Sequence, residues 1–448
     1  MIVIVGNGPA AVSAVEAIRK VDKEVPITLF SAESFPAYAP NCMENVIRED
    51  IGEEALFFKG GFEFYKKNNV DILLETPIVE IDPDAKSLKT KSGETYKYDK
   101  CLVAIGTYSF IPPIEGVDLE GVFSAKSLPD VHKIKDYLKR NDVKNIVIIG
   151  AGPIGVEDAQ TLLHMGYRVH VIEIFDRILP RMLDHQMSYI YQQALEKEGI
   201  NFYTGHQVIA IQGKDGKVKS VLVKKLSSDN SFEINADMVI MSVGVRPSIN
   251  IVKNVEIHKE NGRIVGGILT NEYQETSAKD LYAAGDICSS VDIWGRHRWI
   301  ALFPAAVQEG YVAGFNMAGK KVINTGSVDY NAVKTKKVTA GSGGLFEDAE
   351  RSFTFEKDGV FFKIFIKDDL VYGYQFVGYK RPIKLNPRNR FLPSKEIKMG
   401  GIGLESSGVL MHHFMRTKKP LTKFDIESMK MGNLRALSNP AQDIPLWV

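Results

Sequence analysis

Apolar residues in this chain cluster in short runs. Ile2–Val5 opens the sequence, and comparable runs stand at Ile27–Phe30, 146–149, 238–245 and 281–284. A run of this length bounded by glycine reads as a strand buried on both faces, the usual state of a parallel sheet. Helical segments follow: residues 12–19, a stretch ending at His164, and another from Phe303 to about Met317. The repeated strand–turn–helix–strand order predicts an α/β protein. Beyond residue 325 the pattern changes. Residues 352–355, 361–366 and 371–377 read as strands joined by Lys357-Asp358-Gly359 and Asp368-Asp369, a β-meander, and 407–416 and 423–431 read as helices.

Composition narrows the class. A chain of 448 residues, 44% hydrophobic and 25% charged, is globular and long enough for about three domains. Lys+Arg 56 against Asp+Glu 55 gives a net charge of +1, so neither nucleic acid nor an anionic membrane is an expected partner. No apolar run reaches the ~18 residues of a membrane span. Met1 leads directly into a strand with no basic leader, so no signal peptide is expected. The three cysteines, Cys42, Cys101 and Cys288, are widely spaced. That points to a reduced, cytoplasmic protein and excludes both a CxxC dithiol and a self-contained four-cysteine metal site.

Two turns carry the chemistry. Gly6-Asn7-Gly8-Pro9-Ala10-Ala11 follows the first strand in a GxGxxA pattern. In this dinucleotide fingerprint the first glycine permits the turn and the second lets backbone approach a pyrophosphate. The small third residue lets helix pack on strand. Phosphates then rest on the helix N-terminus, where free N–H groups and the dipole favour anions. The next strand, Ile27–Phe30, ends near Glu33, a candidate ribose acceptor. Gly150-Ala151-Gly152-Pro153-Ile154-Gly155 repeats the pattern after Asn145–Ile149, and Glu173 lies 23 residues after Gly150. That fits the ~20-residue spacing to a ribose-binding acid. A carboxylate there accepts from both ribose hydroxyls and repels a 2′-phosphate, so NADH is expected over NADPH, with Arg177 and Arg181 working against that preference. One glycine turn can serve packing alone; two copies, each with an acid near the expected place, favour nucleotide binding.

Four further segments add to this. Residues 98–107 form a strand ending Ala104-Ile105-Gly106-Thr107. Thr270 precedes Leu281-Tyr282-Ala283-Ala284-Gly285-Asp286-Ile287. Phe303-Pro304-Ala305-Ala306-Val307-Gln308-Glu309-Gly310 starts a helix. Residues 236–247 form a strand and turn around Gly244. Together with the two turns they resemble the FAD-dependent pyridine nucleotide oxidoreductases with two dinucleotide-binding domains. That group includes NADH oxidases, coenzyme A disulfide reductases, ferredoxin-type reductases and the flavin part of nitrite reductases. The resemblance covers residues 1–325 and extends loosely beyond; Ile105 stands where the family usually has Thr. It implies two Rossmann-like three-layer domains, for FAD and for NAD, plus a C-terminal α+β interface domain. The FAD domain would comprise 1–117 and 245–325, the inserted NAD domain 118–244, and the interface domain 326–448.

The resemblance also distributes roles. Gly6, Gly8, Pro9, Ala10, Ala11, Glu33, Ala104 and Gly106 would hold FAD, and Gly150, Gly152, Pro153, Ile154, Gly155 and Glu173 would hold NAD. Gly244 marks the return of the chain to the FAD domain. Gly285 and Asp286 would meet the ribityl chain, and Ala305 would let the flavin approach a helix end that stabilises its anionic reduced form. Glu157 is either the acid that screens the nicotinamide side or an ordinary acid favoured by a helix dipole. Asn41-Cys42 is similar to the Asn-Cys of coenzyme A disulfide reductases, in which the thiol sits beside the flavin. Met43-Glu44-Asn45-Val46 departs from the Gly-Leu-Pro-Tyr-like run that follows there. Asn7 and Pro9 replace the histidine of the peroxidase branch, and Asn45 the lysine of the ferredoxin-reductase branch. Cys42 is therefore read as a redox candidate or a packing thiol, and Cys101 and Cys288 as structural.

The expected function is a FAD-dependent NADH:acceptor oxidoreductase. Hydride passes between NAD(H) and FAD, then electrons pass to an unidentified acceptor, a small molecule or an iron–sulfur protein subunit of a larger complex. The alternative is a Cys42-dependent disulfide reductase or NADH oxidase; a third reading is a flavin-bearing sensor without turnover. A homodimer or hetero-oligomer is expected, and no metal. His412-His413 read as surface or packing residues. Lys380-Arg381, Arg388 and Arg390 read as a solvated loop or a contact for an acidic partner.

Overall fold

The computed structural model describes residues 1–335, 337–357, 359–379, 411, 414–418, 420–422 and 425–427. The chain forms two compact units. The first comprises Met1–Phe110, Lys126–Asp136 and Gly244–Val328; the second comprises Ile111–Ala125, Tyr137–Val243 and the described residues from Asp329 on.

The first unit is built on a five-stranded parallel sheet in the order Leu281–Ala283, Lys100–Val103, Ile2–Val5, Ile27–Phe30, Val70–Leu73. Alternate side chains go to opposite faces, so each apolar run serves two cores. Ile2, Ile4, Leu29, Leu102 and Tyr282 pack towards the helices Pro9–Val21 and Phe303–Met317. Val3, Val5, Phe30, Cys101, Val103 and Leu281 pack with Ile78, Ile81 and Leu88, from an antiparallel sheet of Ile78–Asp82, Ser87–Thr90 and Thr95–Lys97. The result is three layers. Residues 126–136 join this unit through hydrogen bonds: Leu128 N–H donates to Tyr38 Oη at 3.2 Å, and Lys135 Nζ to Val46 O at 3.1 Å.

The two helices of the first unit touch along their backbones. A methyl group on Gly310 would overlap Ala10 O, and one on Gly314 would overlap Ala14 O. Only glycine permits that approach.

The second unit repeats the plan. Its parallel sheet runs Asn201–Thr204, Arg168–Glu173, Asn145–Ile149, Met238–Met241, Val122–Ser124. Val147, Ile149, Ile172, Val239 and Met241 share a core with Val208, Ile211, Val221 and Val223 of an antiparallel sheet, His206–Lys214, Lys217–Lys225 and Ser231–Asn235. The C-terminal region adds a five-stranded antiparallel sheet in the order Tyr330–Lys334, Val338–Gly344, Leu370–Tyr379, Val360–Lys367, Arg351–Lys357. The expected meander is its last three strands. Asp184 ties this sheet to the unit. Its side chain caps the helix His185–Glu196 by accepting Met187 N–H at 2.9 Å and accepts Lys363 Nζ at 2.5 Å, while its backbone N–H donates to Gln375 Oε1 at 3.1 Å. Met411, 414–417 and 425–427 are helical. The rest of the expected terminal helices, His412-His413, and the basic stretch Lys380-Arg381, Arg388 and Arg390 lie outside the described residues.

The helix contact yields a stability prediction. Gly310→Leu drives a side chain into backbone and should cost about 1–3 kcal/mol or more by overpacking. A thermal melt checks this; a variant melting with the parent would contradict the contact.

Candidate cofactor-binding sites

Both glycine turns adopt one geometry. Gly6 and Gly150 each have φ of 107°, a region that disfavours any side chain. A methyl group on Gly6 would overlap Ala104 O, and one on Gly150 would overlap Ser242 O. Each turn is thus wedged against the end of the neighbouring strand of its own sheet. The third small residue is packed too: Ala11 is fully buried, and a methyl on Gly155 would overlap Gly150 O. The middle glycines differ. Gly8 and Gly152 face open space, with nothing within 4 Å of a built methyl.

That space lies at bare helix ends. The helices Pro9–Val21 and Pro153–His164 both start at proline, have no side-chain cap, and carry no acid in the first turn. Their first N–H groups are the orphan donors of any helix start. An anion with several acceptor oxygens satisfies them. The residues present therefore fit a pyrophosphate in each unit. Phe303–Met317 is a third start of this kind, uncapped and free of first-turn acid, with Ala305 and Ala306 in its first turn.

In the first unit the Gly285-Asp286 turn lies between two helix starts. A methyl on Gly285 would sit 3.3 Å from both Ala10 Cβ and Ala306 Cβ. Asp286 is half-buried; its carboxylate accepts from Thr107 Oγ1 at 3.5 Å, and its carbonyl accepts Trp299 Nε1–H at 2.8 Å. Desolvation holds the Asp286 carboxyl above its ordinary range, opposed by Lys126 and Thr107. Lys126 is lowered by burial and held charged by Asp286, Glu33 and Asp130. Glu33 is raised by desolvation, against the Tyr38 hydroxyl, which donates to its Oε1 at 3.3 Å, and against Lys126. Sequence reasoning named Glu33 and Asp286 but missed the cation near both. Lys126 stands in no motif, and only folding brings residues 126–136 to this unit. Ala104 and Gly106 follow the strand Lys100–Val103, and Gly106, like Gly244, faces open space. Asn7 anchors the loop that leads to Cys42. Its Nδ2 donates to Phe35 O at 3.2 Å and its Oδ1 accepts Tyr65 O–H at 2.6 Å.

In the second unit Glu173 ends its strand, 6% exposed. Its Oε2 accepts Ala151 N–H at 2.7 Å and its Oε1 accepts Phe175 N–H at 2.9 Å. The acid thus braces the glycine turn, a role that its spacing does not reveal. Arg177 is engaged locally, donating to Leu183 O, Pro180 O and Asp176. Ile154 is exposed beside the turn. Glu157 is half-buried and lies beyond the first turn of its helix, so the first-turn-acid explanation does not describe it.

The pyridine nucleotide-disulphide oxidoreductase family model matches residues 1–310. The chain belongs to this family. It is 34% identical to the NAD(P)H sulfur oxidoreductase (CoA-dependent) of Pyrococcus abyssi, over 77% of this chain and 76% of that protein. It is 36% identical to the NADH oxidase of Methanocaldococcus jannaschii, over 71% of this chain and 70% of that protein. Among solved structures, the NAD-dependent persulfide reductase from A. fulgidus aligns with a TM-score of 0.77 at 26% identity, covering 84% of this chain and 74% of that one.

The chain is therefore an α/β NADH-dependent flavin oxidoreductase with FAD and NAD as cofactors. The family's hydride chemistry resides in those cofactors; the protein supplies binding and electrostatics. Its thiols divide sharply. Cys101 and Cys288 are buried, and burial pushes both far above the ordinary thiol range. Cys42 is half-exposed, ends the turn Pro40–Cys42 and immediately precedes the helix Met43–Ile47.

Glu173→Ala removes both the brace and the carboxylate. It should raise the KM for NADH at least about fivefold, the loss of roughly one net hydrogen bond, and narrow the gap to NADPH. Steady-state kinetics with both nucleotides checks this; an unchanged KM would contradict the role.

Proposed function

We propose that this chain is an NADH:acceptor oxidoreductase whose FAD is held in the first unit and whose NAD is held in the second. The Gly6–Ala11 turn and the start of the helix Pro9–Val21 take the FAD pyrophosphate, Glu33 the adenosine ribose, and Asp286 the ribityl hydroxyls. Lys126 supplies positive charge near both acids. Gly106 and Gly244 leave room for the coenzyme, Ala104 and Gly285 line its site at the strand ends, and Ala305 lies in the first turn of the helix whose start meets the flavin. Gly150, Gly152, Pro153, Ile154 and Gly155 form the NAD turn, Glu173 binds its ribose, and Glu157 serves the nicotinamide side.

The observation that carries this reading is the Gly285-Asp286 turn, set between two uncapped, acid-free helix starts. NADH is the favoured donor because Glu173 supplies an acid at the ribose position and Arg177 is already engaged. Three separated cysteines cannot furnish four thiolates, so any iron–sulfur relay belongs to a partner protein. The expected setting is cytoplasmic, in a homodimer or a hetero-oligomer. Anaerobic addition of one equivalent of NADH should bleach the flavin absorbance; an oxidised spectrum after excess NADH would refute the reading. Asp286→Ala should weaken FAD retention by about 1.5–3 kcal/mol, the worth of a hydrogen bond to a charged group, measured as flavin released on dilution.

A second reading is favoured by one observation: Cys42 is the half-exposed thiol, and a relative of this chain is a CoA-dependent sulfur oxidoreductase. On that reading the Cys42 thiolate would attack one sulfur of a disulfide or persulfide, forming a mixed disulfide and expelling the other sulfur as a thiolate or hydrosulfide; FAD, when bound and reduced, would supply the two electrons that cleave the mixed disulfide again. Cys42→Ser separates the two. Loss of turnover with disulfide or persulfide acceptors and retention with artificial electron acceptors supports thiol chemistry; full turnover with all acceptors supports direct transfer.

A further inference from the structure

Glu309 is the one charged residue of the helix Phe303–Met317 and is buried, 2% exposed. None of the roles assigned above uses it. Its Oε2 accepts Gly285 N–H at 2.8 Å, which places it directly behind Asp286. Cys288 Sγ lies 3.4 Å from the same oxygen, and Ser290 Oγ is hydrogen-bonded to Oε1. A serine hydroxyl both donates and accepts, so the proton of that last bond can lie on either oxygen. A neutral acid is therefore compatible with the cluster: its carbonyl oxygen accepts Gly285 N–H and its hydroxyl donates to Ser290. An ionised one satisfies it as well, but adds a buried negative charge next to Asp286 and to the helix starts that attract phosphate.

We propose that Glu309 is a positioning residue that works in its protonated form, holding the Gly285-Asp286 turn for FAD while keeping a second negative charge out of the cradle. This rests on the assignment of that turn to FAD.

Three observations favour it. Burial pushes the Glu309 carboxyl up to about 7, with Asp286 adding to the rise and the Ser290, Gly285 and Cys288 bonds opposing it. The titratable groups that act on it are Cys288, on the strand Cys288–Val291, and Asp286, in the turn; the helix Pro9–Val21 presents alanine to that turn. Burial pushes the Cys288 thiol well above the ordinary thiol range, so it adds no charge beside Glu309 near neutrality. FAD carries two phosphate charges into this space and removes water from it, and both effects favour the neutral acid.

The sign follows from proton counting. The folded chain holds this proton up to about pH 7, whereas an unfolded glutamate releases it near 4.5. Between those values the folded state binds more protons, so the stability due to this group falls as pH rises. FAD binding shifts in the same direction: the occupied cradle holds the proton more tightly, and affinity falls as Glu309 ionises.

The test measures the FAD dissociation constant of the full chain by flavin fluorescence from about pH 6 to about pH 9, in the parent, Glu309→Gln and Asp286→Ala. The parent should weaken about tenfold, the factor for one unit of proton affinity, and Glu309→Gln should stay flat while still binding FAD. Thermal melts add an independent readout: Glu309→Gln should melt above the parent at neutral and alkaline pH, and the gap should close as pH falls towards 4.5, where the unfolded glutamate is protonated too. A parent with no pH step, a step retained in Glu309→Gln, or a Gln variant destabilised equally at every pH overturns the proposal. If Asp286→Ala loses FAD in those cases, the FAD assignment stands and only Glu309 is misassigned. Undiminished FAD binding by Asp286→Ala would instead overturn the assignment of the turn itself.

Discussion

The first unit depends on how closely two helices can approach. Pro9–Val21 and Phe303–Met317 lie far apart in the chain, yet Gly310 and Gly314 let one backbone lie on Ala10 and Ala14 of the other. Helix spacing is normally set by side chains between the axes. Here their absence at two positions brings two uncapped helix starts to one place. The Gly285-Asp286 turn enters between them, its glycine in contact with Ala10 and Ala306. The acid of the turn and the dipoles of both helices are thereby delivered together, and a larger residue at any of these small positions separates them.

The same economy appears in the second unit without that third partner. Gly150 and Gly6 share one backbone angle and one neighbour type, a carbonyl at the end of the adjacent parallel strand. Both turns leave an uncapped helix start open to an anion. Their difference lies in what surrounds them. The first unit surrounds its turn with ionisable groups: Glu33, Asp286, Lys126, Asp130 and the buried Glu309. In the second, Glu173 spends both oxygens on backbone N–H groups and fixes the turn that it also serves.

The cluster in the first unit is electrostatically uneven. Desolvation raises Glu33, Asp286 and Glu309 alike, and Lys126 is the cation acting on the first two. Burial of Glu309 is opposed instead by its hydrogen bonds with the uncharged Ser290, Gly285 and Cys288, which leave its carboxyl at about 7. A site built to receive phosphates gains from limiting fixed negative charge. On the proposed assignment Asp286 is the charged acceptor that a ribityl hydroxyl needs. Glu309 can serve by geometry alone.

Much of this was legible in the residues. Short apolar runs followed by glycine turns specify strands buried on both faces, because a parallel strand must shed water from each side. GxGxxA, GxGxxG and the Ala-Gly-Asp segment are local patterns, and local backbone angles are decided by local residues. Glu173 could therefore be singled out from its spacing, Glu33 from its place after a strand, and Asp286 from the family resemblance of its segment. What spacing cannot convey is contact between distant segments. Lys126 meets Asp286 and Glu33 only because residues 126–136 fold onto the first unit, and Glu309 finds Gly285 only once the helix Phe303–Met317 lies against the sheet. Asn7 reads as a departure from a catalytic histidine, yet through Tyr65 it anchors the loop before Cys42. Burial, and with it every shifted proton affinity, is a property of packing; a sequence names the acid, and only the tertiary structure decides how much water it keeps.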